Sequence, residues 1–304
     1  MKSEEILLQL RSLKREVRKL SAEIEAVRIT PPRDSCSVEN LLKARGLQIF
    51  RKDPSDHLLF SPEVSSPQRS RLFDVMKRYS FRLVLRDMIK RQAQFRVDDL
   101  THYCSREVAQ NYTDFLLRMG IVKKLRNGGY RTRVSPLYSF GSTLEWFIAE
   151  IFKKDFACPA LYGVNIKETP GGGDYDVIAS WNRRLVYVEV KSSPPKGIEQ
   201  SEIAAFFSRI DDLVPEVAIL FNDTQLRMKD KLVLMFEEEL KRRYGRKAKT
   251  AYPVNRLMDE LFHVRNRIFI INSRKDVFQN FSTCLRHYLR QTLVADRPAP
   301  ELRG

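Results

Sequence analysis

Asp176, Glu189 and Lys191 are residues whose types and spacing could do chemistry. Leu185 to Lys191 alternates with period two, with Val186, Val188 and Val190 on one face and Leu185, Tyr187, Glu189 and Lys191 on the other. The valines mark the expected buried side. A turn centred on Asn182-Arg183 sets Trp181 opposite Arg184, and counting outward puts Asp176 opposite Glu189 on one face. Directly opposed residues have Cβ atoms about 4.5–5.5 Å apart, where like charges destabilise a sheet. A hard divalent cation between the two removes that penalty, because Mg²⁺ is typically held by one or two carboxylates plus waters and phosphate oxygens. Lys191 projects to the same face, placed to contact a phosphate or a metal-bound water.

Asp176-Val-Ile, a short turn and Glu189-Val-Lys191 resemble the core of the PD-(D/E)XK nuclease superfamily, also called restriction-endonuclease-like. That superfamily adds a glutamate on a preceding helix, and Gly141-Ser-Thr-Leu-Glu145-Trp-Phe147 is similar to that element. The resemblance runs roughly from Gly141 to Ser273. It departs from the family pattern in lacking the proline often found before the aspartate. Asp174 also competes with Asp176; the latter is preferred because Val177-Ile-Ala179 continues a strand from it, whereas Asp174 follows three glycines as a loop residue would. The resemblance implies metal-dependent hydrolysis of phosphodiester bonds. Asp176, Glu189 and the Val190 carbonyl would bind Mg²⁺ (or Mn²⁺), Lys191 would position the attacking water or offset charge, and Glu145 would complete the shell. Glu145 has a second reading of similar weight, since Ser142-Thr-Leu-Glu145 has capping-box spacing and the two roles can coexist.

The 304 residues suggest about two domains, and the net charge of +16 favours polyanionic partners, DNA first among them. No apolar run approaches the length of a membrane span. Met1-Lys-Ser-Glu-Glu5 leads into an amphipathic pattern rather than a signal peptide, so a cytoplasmic setting is expected. Cys36, Cys104, Cys158 and Cys284 lack metal-ligand spacing and fit reduced thiols. No G-x-x-x-x-G-K-S/T phosphate loop occurs, which argues against an NTP-driven motor.

Among the supporting elements, Ile6, Leu10, Leu13, Val17, Leu20, Ile24 and Val27 form a heptad seam, expected to pair two chains as a parallel coiled-coil homodimer. The expected division is 1–30 coiled coil, 31–69 linker, 70–138 winged-helix domain, 139–296 nuclease domain and 297–304 tail. Within the linker, Leu47 to Phe50 and His57 to Phe60 suggest a small hairpin. Next come a helix from Leu72 to Arg91, a short one from Val97, a third from Ser105 to Met119 and a hairpin turning at Asn127-Gly-Gly129. That order resembles a winged helix-turn-helix. Its third helix would present Arg106, Gln110, Asn111 and Thr113 to bases, and its wing would lay Lys123, Lys124, Arg126, Arg131 and Arg133 on phosphates.

The remainder reads as α-β-β-β-α-β-α-β, an α/β fold with a restriction-endonuclease-like mixed sheet flanked by helices. The basic run Lys241 to Lys249 reads first as a solvated helix end, and His263 and His287 as structural. The function expected is a Mg²⁺-dependent DNA endonuclease. The alternatives are a non-catalytic DNA-binding protein on a nuclease scaffold, or a nuclease acting on RNA or branched DNA.

Overall fold

The computed structural model describes residues 37–295, so the expected coiled coil (1–30) and tail (297–304) lie outside the described residues. An eight-stranded mixed sheet organises the chain. Its strands are β1 (Ile49–Arg51), β4 (Ala160–Ile166), β5 (Asp174–Trp181), β6 (Arg184–Lys191), β7 (Val217–Asn222), β8 (Val254–Met258), β9 (Leu261–Val264) and β10 (Ile268–Asn272), in the spatial order β1-β4-β5-β6-β7-β10-β9-β8. The β6–β7 and β7–β10 pairs are parallel and the others antiparallel. This is the expected α/β architecture, enlarged by β1, expected as a hairpin arm rather than a sheet edge, and by β8 and β9, which the sequence pattern does not announce. β8 is mostly exposed and short of the apolar alternation that marks a strand.

The β5–β6 hairpin has the expected register. Trp181 pairs with Arg184, and Asn182 and Arg183 take φ of 48° and 61°, the left-handed pair that a two-residue turn requires. Its burial differs from expectation. Val186 and Val188 pack into one apolar layer, while Leu185 and Tyr187 pack into a second on the opposite face. The parallel partner β7 is buried throughout, so β6 is a central strand covered on both sides rather than a half-exposed one. Helix α6 (Gln200–Leu213) covers the second face with Ile203, Phe206, Phe207 and Leu213, spaced for one helical stripe.

Helices α2 (Ser66–Met76), α3 (Tyr79–Lys90) and α4 (Arg106–Arg118) and the hairpin β2 (Val122–Lys124) and β3 (Tyr130–Thr132) precede α5 (Gly141–Glu150). Where one helix was expected over Leu72 to Arg91, the chain breaks at Lys77-Arg78. Segment 97–100 is a single 3₁₀ turn, and Ser105 caps α4 through the Val108 amide at 3.3 Å. A bridge from Phe95 to Tyr130 adds a third short pairing to the hairpin. These helices do not build a core of their own. Their apolar residues join the layer under β5, β6 and β7, as in the Phe73–Phe147 ring contact at 5.6 Å across the expected domain boundary. The expected linker is likewise structured: α1 (Val38–Lys43) contributes Val38 and Leu42 to the second layer, and β1 pairs with β4 instead of forming a hairpin with residues 57–60.

A long-range polar tie joins α3 to the end of β7. Asp223, fully buried, receives Arg82 at 2.8 Å, Ser273 at 2.5 Å and an ion pair from Arg86. Burial works against its charge, yet the two guanidiniums hold its carboxyl below the ordinary value. Helices α7 (Leu234–Tyr244) and α8 (Ala248–Ala251) lead into β8, and α9 (Val277–Ala295) closes the fold. Among the described residues no helix is long and apolar enough to cross a membrane.

Candidate active site

Gly163 shapes the strand end where the acidic residues meet. The β4–β5 ladder runs through Tyr162↔Val177 and resumes at Val164↔Tyr175, leaving Gly163 opposite Asp176. Tyr162 and Val177 face the first apolar layer, whereas Val164 and Tyr175 face the second. Residues two apart should share a face, so both strands switch faces across this pair. Gly163 allows the switch with φ of +51°, and a Cβ there would stand 2.7 Å from Pro54 and 3.8 Å from the Glu145 carboxylate.

At the same level the β5–β6 ladder ends at Val177↔Val188, one pair short of Asp176 and Glu189. Asp176 instead accepts the Val190 amide on Oδ2 at 2.7 Å. Val190 thus contributes an N–H to the site. Asp174 is the first residue of β5 rather than a loop residue. It is exposed and bonded to Asn165 at 2.7 Å, away from the role given to Asp176.

Glu189 is 1% exposed and fully partnered. Arg209 of α6 donates to its two oxygens at 2.7 and 2.8 Å, Lys191 Nζ stands at 3.0 Å, and the Tyr187 hydroxyl donates to Oε2. Lys191 also pairs with Glu202 at 2.8 Å. The like-charge penalty expected from opposing Glu189 and Asp176 is offset within the chain, by Lys191 and by Arg209, a second cation that the sequence did not mark. Burial disfavours the charged Lys191, but Glu189 and Glu202 hold its pKa above the ordinary lysine value.

Glu145 does not cap α5, which begins at Gly141 without a side-chain cap, so the capping-box reading fails. Burial, then the charges of Glu189 and Asp174, push its pKa up to about 7. Asp176 is raised well above the usual carboxylate range by burial, then by Glu189 and Glu145, against the Val190 hydrogen bond. The charge pattern explains both shifts. Five carboxylates, Glu145, Asp174, Asp176, Glu189 and Glu202, act on one another here against two cations, Lys191 and Arg209, with Asp174 the most exposed of them. The surplus of negative charge is relieved by protons or by a divalent cation.

Among the described residues no three His, Cys, Asp or Glu side chains converge as a metal-holding group. The donor chemistry fits Mg²⁺ or Mn²⁺, which needs only one or two carboxylates with waters, and the surplus charge is of the matching sign. His263 and His287 pack ring against ring, at 4.9 Å, on β9 and α9.

The expected base-reading and phosphate residues take varied positions. Asn111 is exposed, Arg106 pairs with Asp98 at 2.7 Å, and Gln110 bonds Asp114 at 2.9 Å. Thr113 is buried and bonded to the Ala109 carbonyl, so it faces the core and not a base. Lys123 is half-buried, and Lys124, Arg126, Arg131 and Arg133 are exposed on the hairpin.

No protein-family model and no curated protein matches the chain. Several solved structures resemble it. One is the crystal structure of protein VC1899 from Vibrio cholerae, at 14% identity and a TM-score of 0.47 over 84% of this chain and 64% of that one. Another is Can2 from Sulfobacillus thermosulfidooxidans in complex with cyclic tetra-adenylate (cA4), at 13% identity and a TM-score of 0.40 over 61% of this chain and 50% of that one. The chain spans less than two thirds of the length of either. Likeness at this level bears on neither activity nor site residues.

Proposed function

We propose that the chain is a metal-dependent nuclease that hydrolyses phosphodiester bonds of DNA. The observation that carries this reading is the surplus of negative charge shared by Glu145, Asp176 and Glu189 beside Lys191 at one strand end. Asp176 and Glu189 would hold Mg²⁺ or Mn²⁺, with Glu145 assisting. Such an ion lowers the pKa of a bound water and offsets charge on a phosphate. The Val190 amide fixes the Asp176 carboxylate, and Arg209 fixes that of Glu189. Lys191, tethered between Glu189 and Glu202, presents its ammonium to a phosphate oxygen or water. In this reading the basic hairpin at 122–132 holds duplex backbone, and the heptad seam outside the described residues pairs two chains so that both strands are cut.

One observation favours a second reading, a nucleic-acid-binding scaffold without catalysis. Arg209 already engages both oxygens of Glu189 and competes with any cation for it. The two readings separate on incubating the purified protein with single-stranded, duplex and branched DNA and with RNA, with and without Mg²⁺ or Mn²⁺. The nuclease reading expects metal-dependent cleavage that Asp176→Asn and Glu189→Gln abolish while binding persists. Undiminished cleavage in either variant overturns the assignment, and binding without cleavage on every substrate establishes the scaffold.

A further inference from the structure

A cleft of about 530 Å³ lies between α3 and the turn that follows β6, lined by Arg86, Lys90, Tyr103, Tyr138, Ser192 and Ser193 among others. Two of its wall segments adjoin elements that carry the candidate active site. Ser192 and Ser193 directly follow Lys191, and Ser139 and Phe140, also in the lining, directly precede the helix of Glu145.

The charge at its floor is unbalanced. Arg82 and Arg86 share the single carboxylate of Asp223, which leaves one positive charge in surplus, while the other two charges of the lining, Asp87 and Lys90, pair with each other at 3.3 Å. Arg82 is sealed in the core with 1% of its side chain exposed, so the surplus is expressed at Arg86, which is 15% exposed and opens on the cleft. The Arg86 Nε is buried and has no hydrogen-bond partner among the described residues. A partly buried, unbalanced guanidinium of this kind is costly unless an anion joins it, and phosphate oxygens match its geometry. Above the floor, Tyr103 and Tyr138 are 48% and 81% exposed although large and aromatic. Exposed rings beside a phosphate-seeking cation are what unpaired bases stack on. A volume of this size is that of a small-molecule site, with room for a nucleotide or so and none for the width of a duplex.

We propose that this cleft seats a single-stranded nucleic-acid segment, with a phosphate on Arg86, Ser192 and Ser193 and bases on Tyr103 and Tyr138. The proposal rests on the nuclease reading for its purpose, since it feeds a strand to Lys191, but not for its test. Binding is measured by fluorescence anisotropy in EDTA, where metal-dependent cleavage is silent, with the full chain and labelled 20-mer oligo-dT, oligo-U and a 20-base-pair duplex. The two single strands report whether DNA or RNA is preferred. Tyr138→Ala and Tyr103→Ala should each weaken single-strand binding about tenfold, the usual worth of one stacked base, and leave duplex binding nearly unchanged. Arg86→Gln should lower the salt slope for single strands by about 0.7. The tyrosine variants remove exposed rings and keep the test independent of any folding defect in Arg86→Gln. Unchanged single-strand affinity in both tyrosine variants, equal loss on duplex, or no single-strand binding by the parent overturns the proposal. Cleavage with unaffected binding would sink the cleft alone. The expected binding pattern without cleavage on any substrate would sink the nuclease reading alone.

Discussion

Replacing Glu145 with glutamine removes one titrating carboxyl from the site while keeping its size, and so isolates the charge that burial and its neighbours act upon. In the folded chain Glu145 titrates at about 7, against an ordinary value of 4.5. The folded state therefore holds this proton more tightly than the unfolded one. The contribution to stability is fully present below pH 4.5 and is lost as pH rises through about 7. Between pH 5 and pH 8 the parent should lose on the order of 2–3 kcal/mol relative to Glu145→Gln, which stays neutral throughout. At roughly 2 °C per kcal/mol for a chain of this size, that is about 5 °C in melting temperature. Melting curves in EDTA at pH 5, 6, 7 and 8 should nearly coincide at pH 5 and separate upward in pH, with the variant the more stable at pH 8. Mn²⁺ should then raise the parent more at pH 8 than at pH 6, because protons must leave before a cation enters. Parallel melting profiles for the two proteins in EDTA would refute the claim that Glu145 shares surplus charge with Asp176 and Glu189.

Arg209→Gln leaves the buried Glu189 with Lys191 as its remaining cation and should cost about 3 kcal/mol in urea unfolding, the low end for breaking a buried pair. Gly163→Ala puts a methyl group 2.7 Å from Pro54 at φ of +51° and should cost about 1–3 kcal/mol, read by the same unfolding curves. Replacing Lys123, Lys124, Arg131 and Arg133 together by glutamine should weaken duplex binding and flatten its salt dependence by about 0.9 slope unit for each phosphate no longer neutralised; an unchanged slope moves the hairpin to a protein-binding role. Asp at Val17 and Leu20 should give monomers in sedimentation that nick rather than linearise plasmid, whereas a parent that is already monomeric at micromolar concentration rejects the pairing.

How far the site was legible follows from the range of the interactions that build it. The hairpin register needed only local information: Asn182 and Arg183 tolerate the turn, the valines alternate, and Trp181 meets Arg184. Burial on both faces was less visible, because Tyr187 and Glu189 read as a solvent face until α6 and β7 are known to cover them. The face switch at Gly163 had a faint signal, a glycine inside an apolar strand, which often marks a bend or close approach. Its consequence did not, since Pro54 arrives from more than a hundred residues away.

Arg209 left no signal at all. Nothing local links a helix arginine to a strand glutamate twenty residues earlier, and its charge lay hidden in a chain already rich in cations. Yet Arg209 changes the chemical argument more than any other residue. Two opposed carboxylates, taken alone, call for a cation between them. With Arg209 and Lys191 on Glu189, that carboxylate is satisfied, and the unmet negative charge passes to Asp176 and Glu145, where the raised pKa values occur. A divalent ion entering this site thus competes chiefly with protons on those two groups and with a guanidinium on the third. It should bind weakly at acidic pH and more tightly as the pH passes about 7.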